Sequence, residues 1–233
     1  MSKQRLDKVL SNLGLGTRKE IKEYVKRGLV KINGQTATDA GSHVQPDADE
    51  IFFKDEIVMY KKYIYLMMNK PAGVITATED NFQRTVFDIL PDFYKQFTLS
   101  AAGRLDKDTE GLLILTNDGQ KIHELISPKK HVDKVYYVRL KEDVQPEYAA
   151  RCEEGIDIGG YVTMPAMLSE VKEGVLLTIQ EGKFHQVKRM FEVLGNEVVY
   201  LKRVSISKLK LDENLSPGEV RELTKEEVNL LYE

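Results

Sequence analysis

Between Gly103 and Gly111 the chain reads Arg-Leu-Asp-Lys-Asp-Thr-Glu, charged side chains and a threonine set directly before the apolar run Leu112–Thr116. A dense polar loop abutting a core strand is a common seat of chemistry. Asp106 and Asp108 fit three jobs: a divalent-metal pair, an acid–base pair, or the capping of turns. The metal job is the weakest. No histidine or third carboxylate follows in a ligand-like pattern, and only the alternation of Glu110 with the two aspartates suggests one. A second cluster, Glu181-Gly-Lys-Phe-His-Gln-Val-Lys-Arg-Met190, opens a stretch whose Val187, Met190, Phe191 and Leu194 recur at helical spacing. Lys188 and Arg189 then fall in the first turns of a helix, against its dipole, and call for an anion, either carboxylate or phosphate. Asn69-Lys-Pro-Ala-Gly73 is a turn in which Lys70 could meet phosphate. Lys134-Val-Tyr136 opens a strand; Tyr136 is a core residue unless it stacks on a base. The four histidines have no ligand spacing, so His185 is not expected to hold metal.

The elements that must position these groups are legible as apolar runs. Tyr63–Met68, Leu112–Thr116, Val135–Leu140, Val175–Gln180 and Val198–Val204 read as strands. Lys121–Ile126, Val187–Leu194 and a segment capped by Thr224-Lys-Glu-Glu227 read as helices. Strands outnumber helices and do not alternate with them. The expected class is therefore α+β with a mainly antiparallel, mixed sheet and flanking helices. No apolar run reaches the length of a membrane span. The amino terminus lacks the apolar stretch of a secretory signal. Cys152 is the only cysteine, which excludes an intrachain disulfide. Cytoplasmic residence without membrane contact is the expectation.

The net charge of −3 conceals an asymmetry. Residues 1–35 hold nine Lys/Arg against three Asp/Glu, a +6 module on a remainder of −9. Such a split suggests a dedicated polyanion-binding unit. Leu6, Val9, Leu10 and Leu13 make one amphipathic helix, and Thr17-Arg-Lys-Glu20 caps a second. Leu29–Ile32 and Asn33-Gly34 start a hairpin, with another strand near Glu50–Phe53. Arg18, Lys22 and Lys26, with Lys19 beside them, form a basic stripe able to follow a phosphate backbone. Lys61-Lys62 is a candidate linker end. The stretch RLDKVLSNLGLGTRKEIKEYVKRGLVKINGQ, residues 5–35, resembles the small S-four-type RNA-binding module. The resemblance implies RNA contact through Arg5, Arg18, Lys19, Lys22 and Arg27, and a first domain over residues 1–60.

Residues 63–233 resemble the pseudouridine synthases, in the branch typified by small-subunit ribosomal RNA enzymes. The resemblance rests on NKPAGVITA at 69–77, GRLDKDTEGLLILTNDG at 103–119, KVY at 134–136 and EGKFHQVKRMFEVLGN at 181–196. It implies a catalytic domain over 63–233 that isomerises a uridine of 16S RNA, of the uridine 516 type, with no cofactor and no metal. It further implies a flipped base and Asp106 acting on the ribose, as nucleophile at C1′ or base at C2′. Tyr136 would stack on the uracil and Arg104 would hold the nucleotide out. Lys188, or Arg189 as the near alternative, would pair with Asp106. The partner would be 16S RNA, inside a partly assembled small subunit, and the protein a monomer. A 23S enzyme, a non-catalytic RNA-binding assembly factor and a metal-dependent nuclease are the competing readings.

Overall fold

The structure, a computed structural model, describes residues 3–46, 48–58, 60, 63–95 and 97–233; the Lys61-Lys62 linker end lies outside them. The chain forms two compact units, one of Met1–Tyr63 with Pro91–Thr98, the other of Ile64–Leu90 with Leu99–Glu233. Pro91–Thr98, which the sequence reading includes in the catalytic domain, thus groups with the first unit. An apolar pattern such as Phe93, Tyr94 and Phe97 tells that a segment packs, not which body it packs with.

In the first unit β1 (Gln4–Arg5) leads into α1 (Leu6–Asn12) and α2 (Arg18–Lys26). There follow β2 (Val30–Ile32), β3 (Gln35–Thr36), β4 (His43–Val44), β5 (Ile51–Phe53), β6 (Glu56–Ile57) and, from later in the chain, α3 (Asp92–Lys95). The antiparallel sheet runs β3-β2-β5-β6, and β1 pairs with β4. The expected α1 stripe is the core: Leu6, Val9 and Leu10 are fully buried and Leu13 nearly so. The capping box at α2 is complete, with the Glu20 amide on the Thr17 hydroxyl and the Thr17 amide on the Glu20 carboxylate at 2.7 Å. Asn33 and Gly34 both take positive φ, as a two-residue hairpin turn requires.

The second unit contains β7 (Tyr65–Lys70), β8 (Ser100–Ala101), β9 (Glu110–Thr116), α4 (Gly119–Ile126), β10 (Lys134–Leu140) and α5 (Tyr148–Glu154). It continues with β11 (Met167–Val171), β12 (Gly174–Ile179), α6 (Gln186–Val193), β13 (Val198–Ile206), β14 (Leu209–Lys210), β15 (Val220–Glu222) and α7 (Lys225–Leu230). The sheet order is β11-β12-β10-β13-β9-β7-β15, with β14 on β13 and β8 on β9. Every pairing is antiparallel except β9 with β13, which sets Glu110 and Gly111 beside Lys202 and Arg203. The α+β expectation holds. Met67, Leu112, Ile114, Leu125, Ile206 and Leu231 share one core cluster, tying α4 and the α7 end to the sheet.

Gly111 explains how the central pairing closes. Its φ is +101°, and a Cβ there would sit 2.2 Å from the carbonyl oxygen of Arg203 and 2.8 Å from its nitrogen. Only glycine allows β9 to start this close to β13. The polar loop before β9 is thereby delivered to the middle of the sheet.

Candidate active site

The loop that carries Asp106 is held from below. Lys70, at the end of β7, is fully buried. Its Nζ donates to the carbonyls of Thr109 at 2.8 Å, Pro71 at 3.0 Å and Lys107 at 3.3 Å. All three ammonium donors are therefore used on backbone. Burial lowers its pKa to about 8, against the pull of Asp108, Asp106 and Glu110. The expected phosphate contact of Lys70 is thus replaced by a structural one: β7 runs antiparallel to β9 and carries the side chain under the loop instead of outward. Thr76 grips the other side, its hydroxyl donating to the Leu105 carbonyl at 2.9 Å and accepting from the Leu105 amide at 3.2 Å. The Gly73 amide holds the Lys107 carbonyl at 2.8 Å.

The start of α6 meets this loop. Lys188 Nζ lies 2.6 and 2.7 Å from the two oxygens of Asp108 and 3.8 Å from Oδ2 of Asp106. His185, in left-handed backbone at the N-cap, brings Nε2 to 3.7 Å from Oδ1 of Asp106. The anion that a lysine in this first turn demands is a pair of carboxylates. Partial burial works to raise the Asp108 pKa, but the hydrogen bond and charge of Lys188 outweigh it and hold it low. Asp106 and Asp108 thus converge on an ammonium. Arg189 points elsewhere: its guanidinium donates to the carbonyl of Ile158, so it does not act as the partner of Asp106. The turn before α6 is anchored by buried Glu181, which accepts from Tyr161 Oη at 2.5 Å, the Met164 amide at 2.8 Å and Gln186 Nε2 at 3.0 Å.

Asp106 lines a cavity of 690 Å³ together with Arg104, Lys134, Tyr136, His185 and Arg203. Its side chain keeps 29% exposure, against 7% for Tyr136. Tyr136 therefore forms wall, while Arg104 is exposed at the rim. At the mouth the exposed Phe184 stacks on His185, ring centroids 3.8 Å apart. Such a hollow admits a planar ring between apolar surface and a charged edge. It contains a carboxylate with the Lys188 ammonium and the His185 imidazole on one side. His185, Thr76, Lys134 and Arg203 were not singled out as site residues from sequence. His185 and Thr76 stand inside motifs already noted, but nothing in their spacing reports that backbone geometry aims them at the loop.

Within the first unit Arg18, Lys19, Lys22 and Arg27 are exposed. Among the described residues none of the four makes an ion pair. Arg5 differs. Its Nε and Nη2 clamp the buried carboxylate of Asp7 at 3.0 and 2.8 Å, which leaves it a structural duty that the sequence reading did not foresee.

Two family profiles match the chain, RNA pseudouridylate synthase over residues 64–193 and the S4 domain over residues 4–50. An uncharacterized RNA pseudouridine synthase of Bacillus subtilis is 53% identical, with 98% of each chain covered. Ribosomal small subunit pseudouridine synthase A of Haemophilus influenzae is 42% identical over 97% of this chain and 99% of its own. Ribosomal large subunit pseudouridine synthase B of Bacillus subtilis is 38% identical over 98% and 95%. A solved pseudouridylate synthase structure, 41% identical, superposes with a TM-score of 0.69 over 97% of this chain and 99% of that one.

Proposed function

This chain belongs to the RNA pseudouridylate synthase family, isomerases of uridine, and from that premise we propose that it acts on ribosomal RNA with Asp106 as the catalytic carboxylate. The observation that carries the assignment is the Asp106 carboxylate on the cavity wall with Lys188 and His185 within ionic reach. In this reading the target uridine leaves its helix, at a cost of a few kcal/mol, and stacks on Tyr136 while Arg104 enters the vacated space. Asp106 engages the ribose. Covalent addition at C1′ and proton removal at C2′ both use the carboxylate as electron-pair donor, and the Lys188 ammonium stands 3.8 Å from it. The C1′–N1 bond breaks, the uracil turns, C5 bonds to C1′, the C5 proton leaves and N1 gains one. Nothing is oxidised or reduced and no group is imported.

The proposed substrate is 16S RNA in a partly assembled small subunit, at a uridine of the 516 type, bound by a cytoplasmic monomer. Its support is the HQVKRM string at 185–190, the SPKKHVDK string at 127–134 and the relatives named as small-subunit enzymes. The exposed cations of α2 belong to a domain over residues 1–60, proposed to seat on RNA backbone. A large-subunit target is the second reading, favoured by the relative named for that subunit. Pseudouridine maps of both rRNAs, from cells with the gene, without it and with Asp106→Asn, decide. One small-subunit uridine unmodified in both deficient strains supports the proposal. Loss confined to 23S RNA transfers the target, and full modification with Asp106→Asn removes Asp106 from the chemistry.

A further inference from the structure

Arg203 is among the largest fully withdrawn side chains, 2% exposed, and the reaction above gives it no task. Its Nε donates to the Leu112 carbonyl at 2.8 Å. Its Nη2 is buried and, among the described residues, has no hydrogen-bond partner. No carboxylate of the described residues forms an ion pair with it. Lys134 lines the same cavity from the adjacent strand, its Nζ spent on the Val132 carbonyl at 2.9 Å. The neighbouring Asp133 accepts from Gln180. Burial first, and then the charge of Arg203, push the Lys134 pKa down to about 8. Two cations thus share one part of the wall without a bonded counter-charge, an arrangement that is costly unless a ligand completes it. In the β10–β13 register Arg203 stands directly opposite Tyr136. The guanidinium reaches toward β9, and both it and the ring on which a base would stack line the one cavity. An RNA phosphate is too bulky and too hydrated for a group so withdrawn; the edge of an inserted planar ring is not.

We infer that Arg203, seconded by Lys134, receives the negative charge of the pyrimidine while it is detached from its ribose. The inference rests on the reading that this cavity takes a uridine. When C1′–N1 breaks heterolytically, the electron pair stays on the uracil and spreads from N1 onto O2 and O4. It is returned when C5 bonds to C1′ and the C5 proton is lost. A donor already in place as that charge appears lowers the barrier without reorganising. The group is therefore a catalytic residue, and it discriminates by the stability of the leaving base.

The test uses the full chain in single turnovers on an rRNA substrate carrying either uridine or 5-fluorouridine at the target, whose fluorine itself stabilises the detached anion and, because C5 then has no proton to lose, stays on a C-linked product that takes up water at C6. Rearranged nucleoside is read by digestion and mass spectrometry. Arg203→Met is expected to slow uridine about 100-fold and fluorouridine by a factor at least about fivefold smaller, with RNA affinity unchanged. Arg203→Lys should recover part of the rate, and Lys134→Met should show the same substrate dependence in weaker form. Equal slowing of both substrates, or no slowing, overturns the inference and leaves the family reaction intact. Wild-type protein that rearranges neither nucleoside overturns the underlying reading as well. Should Arg203→Met fail to fold, the comparison in Lys134→Met decides by the same criterion.

Discussion

The ammonium of Lys188 is 2.6 Å from Oδ1 of Asp108 and 3.8 Å from Oδ2 of Asp106. The tighter partner is the more exposed carboxylate, at 71% against 29%. Asp108 serves as a tether that parks the cation within reach of Asp106. Asp108→Asn should therefore cost activity no more than about fivefold, as expected for an exposed ion pair. Lys188→Met should lower kcat about 100-fold, and Asp106→Asn by more than about 1000-fold. Single-turnover rates on rRNA check the order. An Asp108→Asn loss as deep as that of Asp106→Asn would exchange their roles.

Lys70 supports the loop from inside, and its titration gives a signed prediction. Burial sets its folded pKa at about 8, below the ordinary 10.5. Between these values the unfolded chain binds more protons than the folded one, so stability from this group rises with pH. Its contribution is complete above about 10.5 and fades as pH falls through 8. The urea stability of wild type relative to Lys70→Met should accordingly increase from pH 7.5 to pH 10.5, both values chosen to bracket that window. A difference independent of pH refutes the assignment.

Gly111→Ala should be among the most damaging conservative changes. The added methyl would lie 2.2 Å from the Arg203 carbonyl oxygen at a residue with φ of +101°. Relief requires β9 to part from β13, which misplaces the Asp106 loop. Loss of more than about 2 kcal/mol in a urea titration is expected, with activity falling at temperatures where the variant is still folded.

The α2 cations should govern salt dependence. Replacing Arg18, Lys19 and Lys22 with Gln should reduce the slope of log affinity against log salt by about two, leaving the single-turnover rate at saturating protein unchanged. Fluorescence anisotropy on an rRNA fragment across a salt series measures it. The same replacement of Arg5 should instead lower stability, because Arg5 keeps the buried Asp7 carboxylate paired and its pKa low.

The sequence by itself determined the α1 and α2 helices, the central strands β7, β9, β10, β12 and β13, the caps at Thr17 and Thr224, and the motif cluster around Asp106. Those features depend on neighbours within a turn or two, where periodicity and capping chemistry act. It also delivered Lys188 to a helix start in need of an anion. Only the tertiary structure decided which anion. The parallel β9–β13 pairing, permitted by Gly111, and the β7 clamp at Lys70 bring together groups far apart in the chain. The same long-range packing turned Arg189 to Ile158, Arg5 to Asp7 and Lys70 to three backbone carbonyls, each a cation whose type alone suggested a different partner. It also left Arg203 half satisfied in the cavity wall, because a buried charge is defined by what surrounds it and the surroundings are set by the fold.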